Sequence, residues 1–268
     1  MTEFLNLTGG RLAYDVIGQG QLVVCVPGMG DIRATFRHLA PPLAQAGYRV
    51  ATMDLRGHGE SSTGWDSYTQ TSIGADVIAL IRHLGGPAVV LGHSFASGSA
   101  IAAAAQAPAD VLGVVLVSTA TGAPKLNPLL AQVFKLVVRS PALWTRYLRS
   151  LYPGTKPADF DTYLSALKAT LRQPGRTAAF AAVTPMATPN PIDAMAQAPQ
   201  VRCPALIVMG TEDKDVHDPK AEAEAVAATL AGPAEIVLVQ AAGHYPHAQY
   251  PTQTAAAVLD FLTQTIRA

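Results

Sequence analysis

The sequence predicts an α/β fold: a mostly parallel sheet with helices on both faces and a helical segment inserted late in the chain. Three observations predict it. Short apolar or β-branched runs alternate with helical patterns through residue 117, the order that builds parallel strands joined by crossover helices. The alternation stops between Thr119 and Gln200, where the pattern is helical and broken by proline, and then resumes. Residues able to carry chemistry follow directly after apolar runs, and open α/β sheets build their sites at the carboxyl ends of strands.

Each element follows in order. Arg11 to Ile17 reads as a strand ending at the turn Gly18-Gln19-Gly20, and Gln21 to Val26 as a β-branched strand stopped by Pro27 and Gly28. Arg33 to Gln45 has helical spacing, with Pro41-Pro42 as an irregularity and Gly47 closing it. Tyr48 to Met53 is a strand, Tyr68 to Leu84 an amphipathic helix and Ala88 to Leu91 a buried strand. A small-residue helix runs from Phe95 to about Ala107, and Leu112 to Val117 is a further apolar run. Prolines 124, 128, 141, 153, 157, 174, 185, 189 and 191 break the next segment, which holds Phe134, Trp144, Tyr147, Tyr152, Phe160, Tyr163 and Phe180. Strands resume at Ala205 to Met209 and Glu235 to Val239. The expected organisation is a core of residues 1–118 and 201–268 with a cap of residues 119–200.

Composition removes several classes. At 268 residues and 49% hydrophobic, with 22 glycines besides, the chain can bury a core without disulfides or metals. Only 14% is charged, against about 25% in an average soluble domain, and much of the apolar surplus is alanine, as at Ala102 to Ala105. No run is long and apolar enough for a transmembrane helix, and MTEFLNLTGG lacks the apolar stretch of a signal peptide. Nineteen basic and nineteen acidic residues without a basic block argue against a nucleic-acid footprint. Cys25 and Cys203 make no metal motif and read as ordinary buried thiols in a reducing compartment, so a cytoplasmic location is expected. Gly28-Met29-Gly30 with Asp54 mimics a dinucleotide fingerprint, but Arg33 stands at the third glycine position, where it would obstruct helix–strand packing.

The chemistry gathers at three strand ends. Gly92-His93-Ser94-Phe95-Ala96 puts a serine between small residues at a sharp strand-to-helix turn, a geometry that exposes its hydroxyl. Such a serine needs a base, and the base an orienting acid. Gly210-Thr211-Glu212-Asp213-Lys214-Asp215 ends one later strand, and Ala242-Gly243-His244 follows the next. Glu212, Asp213, Asp215 and Asp218 are the candidates for that acid. His247 is expected to buttress the loop, and His93 to point away from Ser94. Seven histidines without an H-x-x-x-H pair or a Cys/His cluster predict no metal site.

With these residues in hand, the chain resembles the α/β-hydrolases over essentially its full length, the order Ser94, Asp213, His244 being theirs. Asp54-Leu55-Arg56-Gly57-His58-Gly59-Glu60-Ser61 is similar to the family's D-x-R-G-x-G-x-S turn, and Val26-Pro27-Gly28-Met29-Gly30 occupies the place of its H-G-x loop. Pro27 stands where histidine is usual, and Ala96 where a second glycine is usual. The resemblance implies an eight-stranded, mostly parallel sheet with a helical cap after the sixth strand. It implies Ser94 as nucleophile, His244 as base, Asp213, which holds the family's G-x-x-D spacing from Gly210, as orienting acid in preference to Glu212, Asp215 and Asp218, and the N–H groups of Met29 and Phe95 as oxyanion hole, with no cofactor.

The expected activity is cleavage of a small or medium, hydrophobic ester or related acyl compound. Carbon–carbon bond hydrolases, cofactor-free haloperoxidases and ligand-sensing relatives are alternatives with the same triad. Haloalkane dehalogenases and epoxide hydrolases use an aspartate nucleophile, so Ser94 argues against them. In the cap, Lys135, Arg139 and Arg146 fall on one side of Leu129 to Leu151, opposite Phe134, Val138 and Trp144. That pattern reads as a solvated face over packed core, with Trp144 and Tyr147 as candidate substrate contacts. A membrane-surface helix is disfavoured because Pro141 interrupts it. The expected partner is a small-molecule substrate, with neither nucleic acid nor membrane, and the oligomeric state stays open between monomer and homodimer.

Overall fold

The computed structural model describes residues 1–122, 127–187 and 192–267; prolines 124, 189 and 191 lie outside them. Eight strands form one sheet: β1 (Glu3–Leu7), β2 (Gly10–Ile17), β3 (Leu22–Val26), β4 (Arg49–Met53), β5 (Ala88–His93), β6 (Val111–Val117), β7 (Ala205–Gly210) and β8 (Ala234–Val239), in the order β1-β2-β4-β3-β5-β6-β7-β8. β1 and β2 form an antiparallel hairpin, β2 runs antiparallel to β4, and the rest are parallel. β3, β5 and β7 are buried at every residue. Covered on both faces, they read as continuous apolar runs.

The helices are α1 (Ala40–Gln45), α2 (Gln70–His83), α3 (Phe95–Gln106), α4 (Pro128–Arg139), α5 (Pro141–Ser150), α6 (Phe160–Leu171), α7 (Arg176–Ala182), α8 (Pro219–Thr229), α9 (Pro246–Gln249) and α10 (Pro251–Arg267). The predicted helix over Arg33–Gln45 is split: a 3-10 turn spans Arg33–Phe36, and α1 starts anew at Ala40. Pro41 and Pro42 cause this, because proline lacks the N–H that a helix interior needs but is tolerated in the first turn. Leu129 to Leu151 divides in the same way. Ser140 caps Leu143 N, and Pro141 opens α5 instead of kinking one long helix.

Alternation along the strands sends residues to two separate cores. Val24, Val26, Val90, Leu116 and Ile207 face a cluster shared with α2, α3 and the inserted helices. Val23, Cys25, Leu91, Val115 and Val208 face a second, built with Phe36, Leu43 and Val258, Phe261 and Leu262 of α10. Neither cysteine is bonded; Cys25 is buried, whereas Cys203, expected to be buried too, is partly exposed. Among the described residues no helix is long and apolar enough to cross a membrane.

Candidate active site

Ser94 sits between β5 and α3 with φ 54° and ψ −121°. That backbone is strained for any residue with a Cβ and persists only where the surroundings impose it. The surroundings do so closely. A Cβ on Gly92 would fall 2.3 Å from Ala96 O, so only glycine lets the strand end meet the helix start. Ser94 N donates to Val117 O at 2.7 Å, fixing the turn against β6. Phe95 opens α3, so its N–H has no partner within the helix. The loop after β3 runs alongside, so close that a Cβ on Gly28 would lie 3.2 Å from Ser94 Cβ.

The other two predicted residues meet each other. His244 Nδ1 lies 2.8 Å from Asp213 Oδ2, and both side chains are buried. Burial opposes charge on the His244 ring, but Asp213, followed by Asp215 and Asp31, outweighs it and raises the ring to about 9. The outward nitrogen, Nε2, faces Asp215 Oδ2 at 3.9 Å. Ser94 Oγ makes no hydrogen bond among the described residues; such contacts are often long before substrate binds and tighten in the complex. Of the rival acids, Asp218 caps α8 through Lys220 N and Ala221 N, and Glu212 is exposed.

Three more histidines are kept neutral by burial, His93 and His247 beside this pair and His58 on the turn after β4. His58 is pushed down to about 4 and His247 to about 3, and His93 also lies well below its ordinary value. His58 Nε2 therefore accepts from Gly30 N at 3.0 Å while its Nδ1 faces Arg56 O at 3.1 Å. It supports the loop after β3 from across the site, the task that Pro27 cannot perform. His93 Nε2 lies 2.8 Å from His244 O, and His247 Nε2 lies 3.1 Å from Thr35 Oγ1. Both rings pack behind His244. Among the described residues no group of three or more His, Cys, Asp or Glu side chains could hold a metal ion.

The inserted helices close on the same edge. Trp144 is buried, and its Nε1 donates to Gly30 O at 2.8 Å, so it holds the loop after β3. Tyr147 OH donates to Asp215 Oδ1. Asp31, next in the loop, is buried and accepts from Tyr163 OH and from Ile32 N. Burial lifts its carboxyl to about 6 against those hydrogen bonds. Sequence reasoning missed Gln249, which accepts from Gly243 N at 2.8 Å and donates to Pro153 O at 2.7 Å and Thr155 O at 2.9 Å. It also missed the supporting part of His58 and the approach of Asp215 to Nε2. Asp213 and Asp215, two residues apart on one loop after β7, were the available signal for the last.

Residues 23–257 match the model of the alpha/beta hydrolase family. The chain belongs to that family, whose eight-stranded, mostly parallel architecture it shares. Among curated proteins, it is 29% identical over an aligned length of 276 residues to polyketide synthase ThaQ of Burkholderia thailandensis, covering 99% of this chain and 13% of that protein. It is 28% identical over 160 residues to bifunctional epoxide hydrolase 2 of Rattus norvegicus, covering 59% of this chain and 28% of that protein. This chain thus spans well under half the length of both. Among solved structures, a thermophilic esterase from Thermogutta terrifontis superposes with a TM-score of 0.80 at 22% identity, covering 98% of this chain and 99% of that one, a likeness of fold.

Proposed function

We propose that this chain is a serine hydrolase that cleaves a small or medium, apolar ester or related acyl compound through an acyl-enzyme. The observation that carries the reading is the meeting of three features on one sheet edge. Ser94 is held at positive φ, His244 is hydrogen-bonded to a buried Asp213, and the first N–H of α3 is unpaired within its helix. In this reading His244 Nε2 takes the Ser94 proton as Oγ attacks the substrate carbonyl, and Asp213 holds the imidazole in the productive tautomer. The N–H groups of Phe95 and Met29 meet the developing oxyanion, each worth about 3 kcal/mol in comparable sites. The leaving group takes the proton back from His244, and a water activated by the same nitrogen then frees Ser94.

Serine rather than aspartate at position 94 separates the chain from epoxide-opening chemistry. Tyr147, at the rim beside Asp215, is the better candidate for substrate contact, since the Trp144 indole already serves Gly30. Intact mass after incubation with a fluorophosphonate tests the proposal. One adduct is expected on the wild type, none on Ser94→Ala and slow formation on His244→Ala. A folded wild type that takes no adduct, or a Ser94→Ala variant that still does, overturns it.

A further inference from the structure

The outer face of α4 and α5 carries an unexpected surface. Leu129, Leu130, Val133, Leu136 and Leu143 make up five of the nine exposed large apolar side chains among the described residues, Leu129 at 74% and Leu136 at 66%. On α4 the spacing from Leu129 to Val133 and Leu136 is i, i+4, i+7, so these side chains form one stripe. Phe134 and Val138 face inward on the same helix, and Phe134 contacts the Tyr147 ring of α5 with centroids 6.1 Å apart. The two helices therefore pack on each other and share an outer surface, with Pro141 at the joint. Apolar residues belong on a helix's inner face unless something covers the outer one.

Charge says what covers it. Between Asp110 and Asp159 the chain has no acidic residue. Lys135, Arg139 and Arg146 border the stripe, and among the described residues none of the three has an acidic partner; Arg149, further along α5, pairs with Asp161. A groove of about 260 Å³ between α4 and α7 has Lys135 and Arg139 on its wall with Ala178, Ala182 and Met186. A second copy docked on this face about a two-fold axis would bring the same cations together without a carboxylate between them. A lipid surface bearing anionic headgroups accepts both features, taking the leucines at the acyl boundary and the cations at its phosphates.

We infer that α4 and α5 form a docking surface for an anionic lipid bilayer, with Leu129, Leu130, Val133, Leu136 and Leu143 inserting and Lys135, Arg139 and Arg146 meeting headgroups. This departs from the sequence expectation of no membrane partner; the docking stands without the hydrolase reading, and only its service to Ser94 rests on that reading. Docking places the lipid on the outside of the helices whose inner side chains reach Gly30 and Asp215, so an apolar substrate dissolved in the bilayer starts close to Ser94.

Vesicle flotation of the full chain tests it, with phosphatidylcholine alone and with phosphatidylglycerol mixed in. Binding about tenfold or more stronger to the anionic vesicles is expected, weakened by added salt, by Arg139→Gln/Arg146→Gln and most by Leu129→Gln/Leu136→Gln. All four side chains are exposed, so the variants should keep the wild-type far-UV circular dichroism and fluorophosphonate labelling rate. Absence of anionic-vesicle binding, or equal binding by the leucine variant, overturns the inference. So does a wild-type dimer in light scattering that the leucine variant converts to monomer.

Discussion

At the scale of single residues, the proposed chemistry turns on Asp215, which two neighbours hold in place. Its backbone N–H donates to Asp213 Oδ1 at 3.0 Å, and Tyr147 OH binds its Oδ1, leaving Oδ2 aimed at His244 Nε2. Asp215 thereby favours the imidazolium at the nitrogen that, in the proposed reaction, accepts the Ser94 proton. The ring's charged state is favoured in the folded protein, to about 9, so the neutral base fills in only as pH rises toward that value. Labelling of Ser94 by a fluorophosphonate should therefore climb with pH well beyond the ordinary histidine range. Asp215→Asn keeps the shape and removes one of the raising charges, so its midpoint should fall below the wild type's, with the neutral-pH rate rising severalfold. The buried carboxylates Asp213 and Asp31 still face the ring, and the neighbouring His93 and His247 are neutral. The comparison thus isolates Asp215. A midpoint that stays put would show that Asp215 is screened by solvent at the rim.

At the scale of elements, Gln249 shows how a four-residue helix can organise a loop carrying His244. α9 presents this one side chain to Gly243, Pro153 and Thr155 at once, and His244 N itself donates to Leu151 O at 3.1 Å. Gln249→Leu strands a backbone N–H and two carbonyls, at about 1–3 kcal/mol for each group that finds no water. Urea unfolding should show a loss of about 2–4 kcal/mol, and Ser94 labelling should slow as His244 loosens; a loss below about 0.5 kcal/mol would mean water replaces the amide. No local pattern marks Gln249, because two of its three partners lie 94 and 96 residues away. The parallel strands were legible for the opposite reason: burial on both faces leaves a continuous apolar run that needs no partner to be recognised. β1 was not, since Glu3–Leu7 is a half-exposed edge strand whose backbone pairs with β2 alone. The pairing of Asp213 with His244 was legible from chain order and strand ends. The service of Trp144 to Gly30, across 114 residues, was not.

At the scale of the whole molecule, the inserted helices have no core of their own. Trp144, Leu148, Leu151, Tyr152, Phe160, Leu164 and Phe180 belong to the same buried cluster as Val24, Val26, Leu116 and Ile207 of the sheet. Polar ties reinforce the join: Arg37 reaches both oxygens of Asp159 at 2.7 and 2.8 Å, Tyr163 binds Asp31, and Arg176 binds Ser61 O. Opening the inserted helices would expose that shared apolar face at about 25 cal/mol per Å², along with the buried Asp31 and His244. Separate melting of the two parts is therefore not expected, and the chain carries its own reporters for this. Its two tryptophans lie one on each side: Trp65 between β4 and α2, with Nε1 bonded to Ser62 O at 2.7 Å, and Trp144 on α5. In Trp65→Phe the remaining fluorescence follows the inserted helices, and in Trp144→Phe it follows the sheet. Within each variant, fluorescence and far-UV circular dichroism should give one coincident thermal transition. A Trp144 signal that moves below the dichroism midpoint in Trp65→Phe would mean that the inserted helices open before the sheet does. The loop after β3, held by the Trp144 indole, would then be released in advance of unfolding.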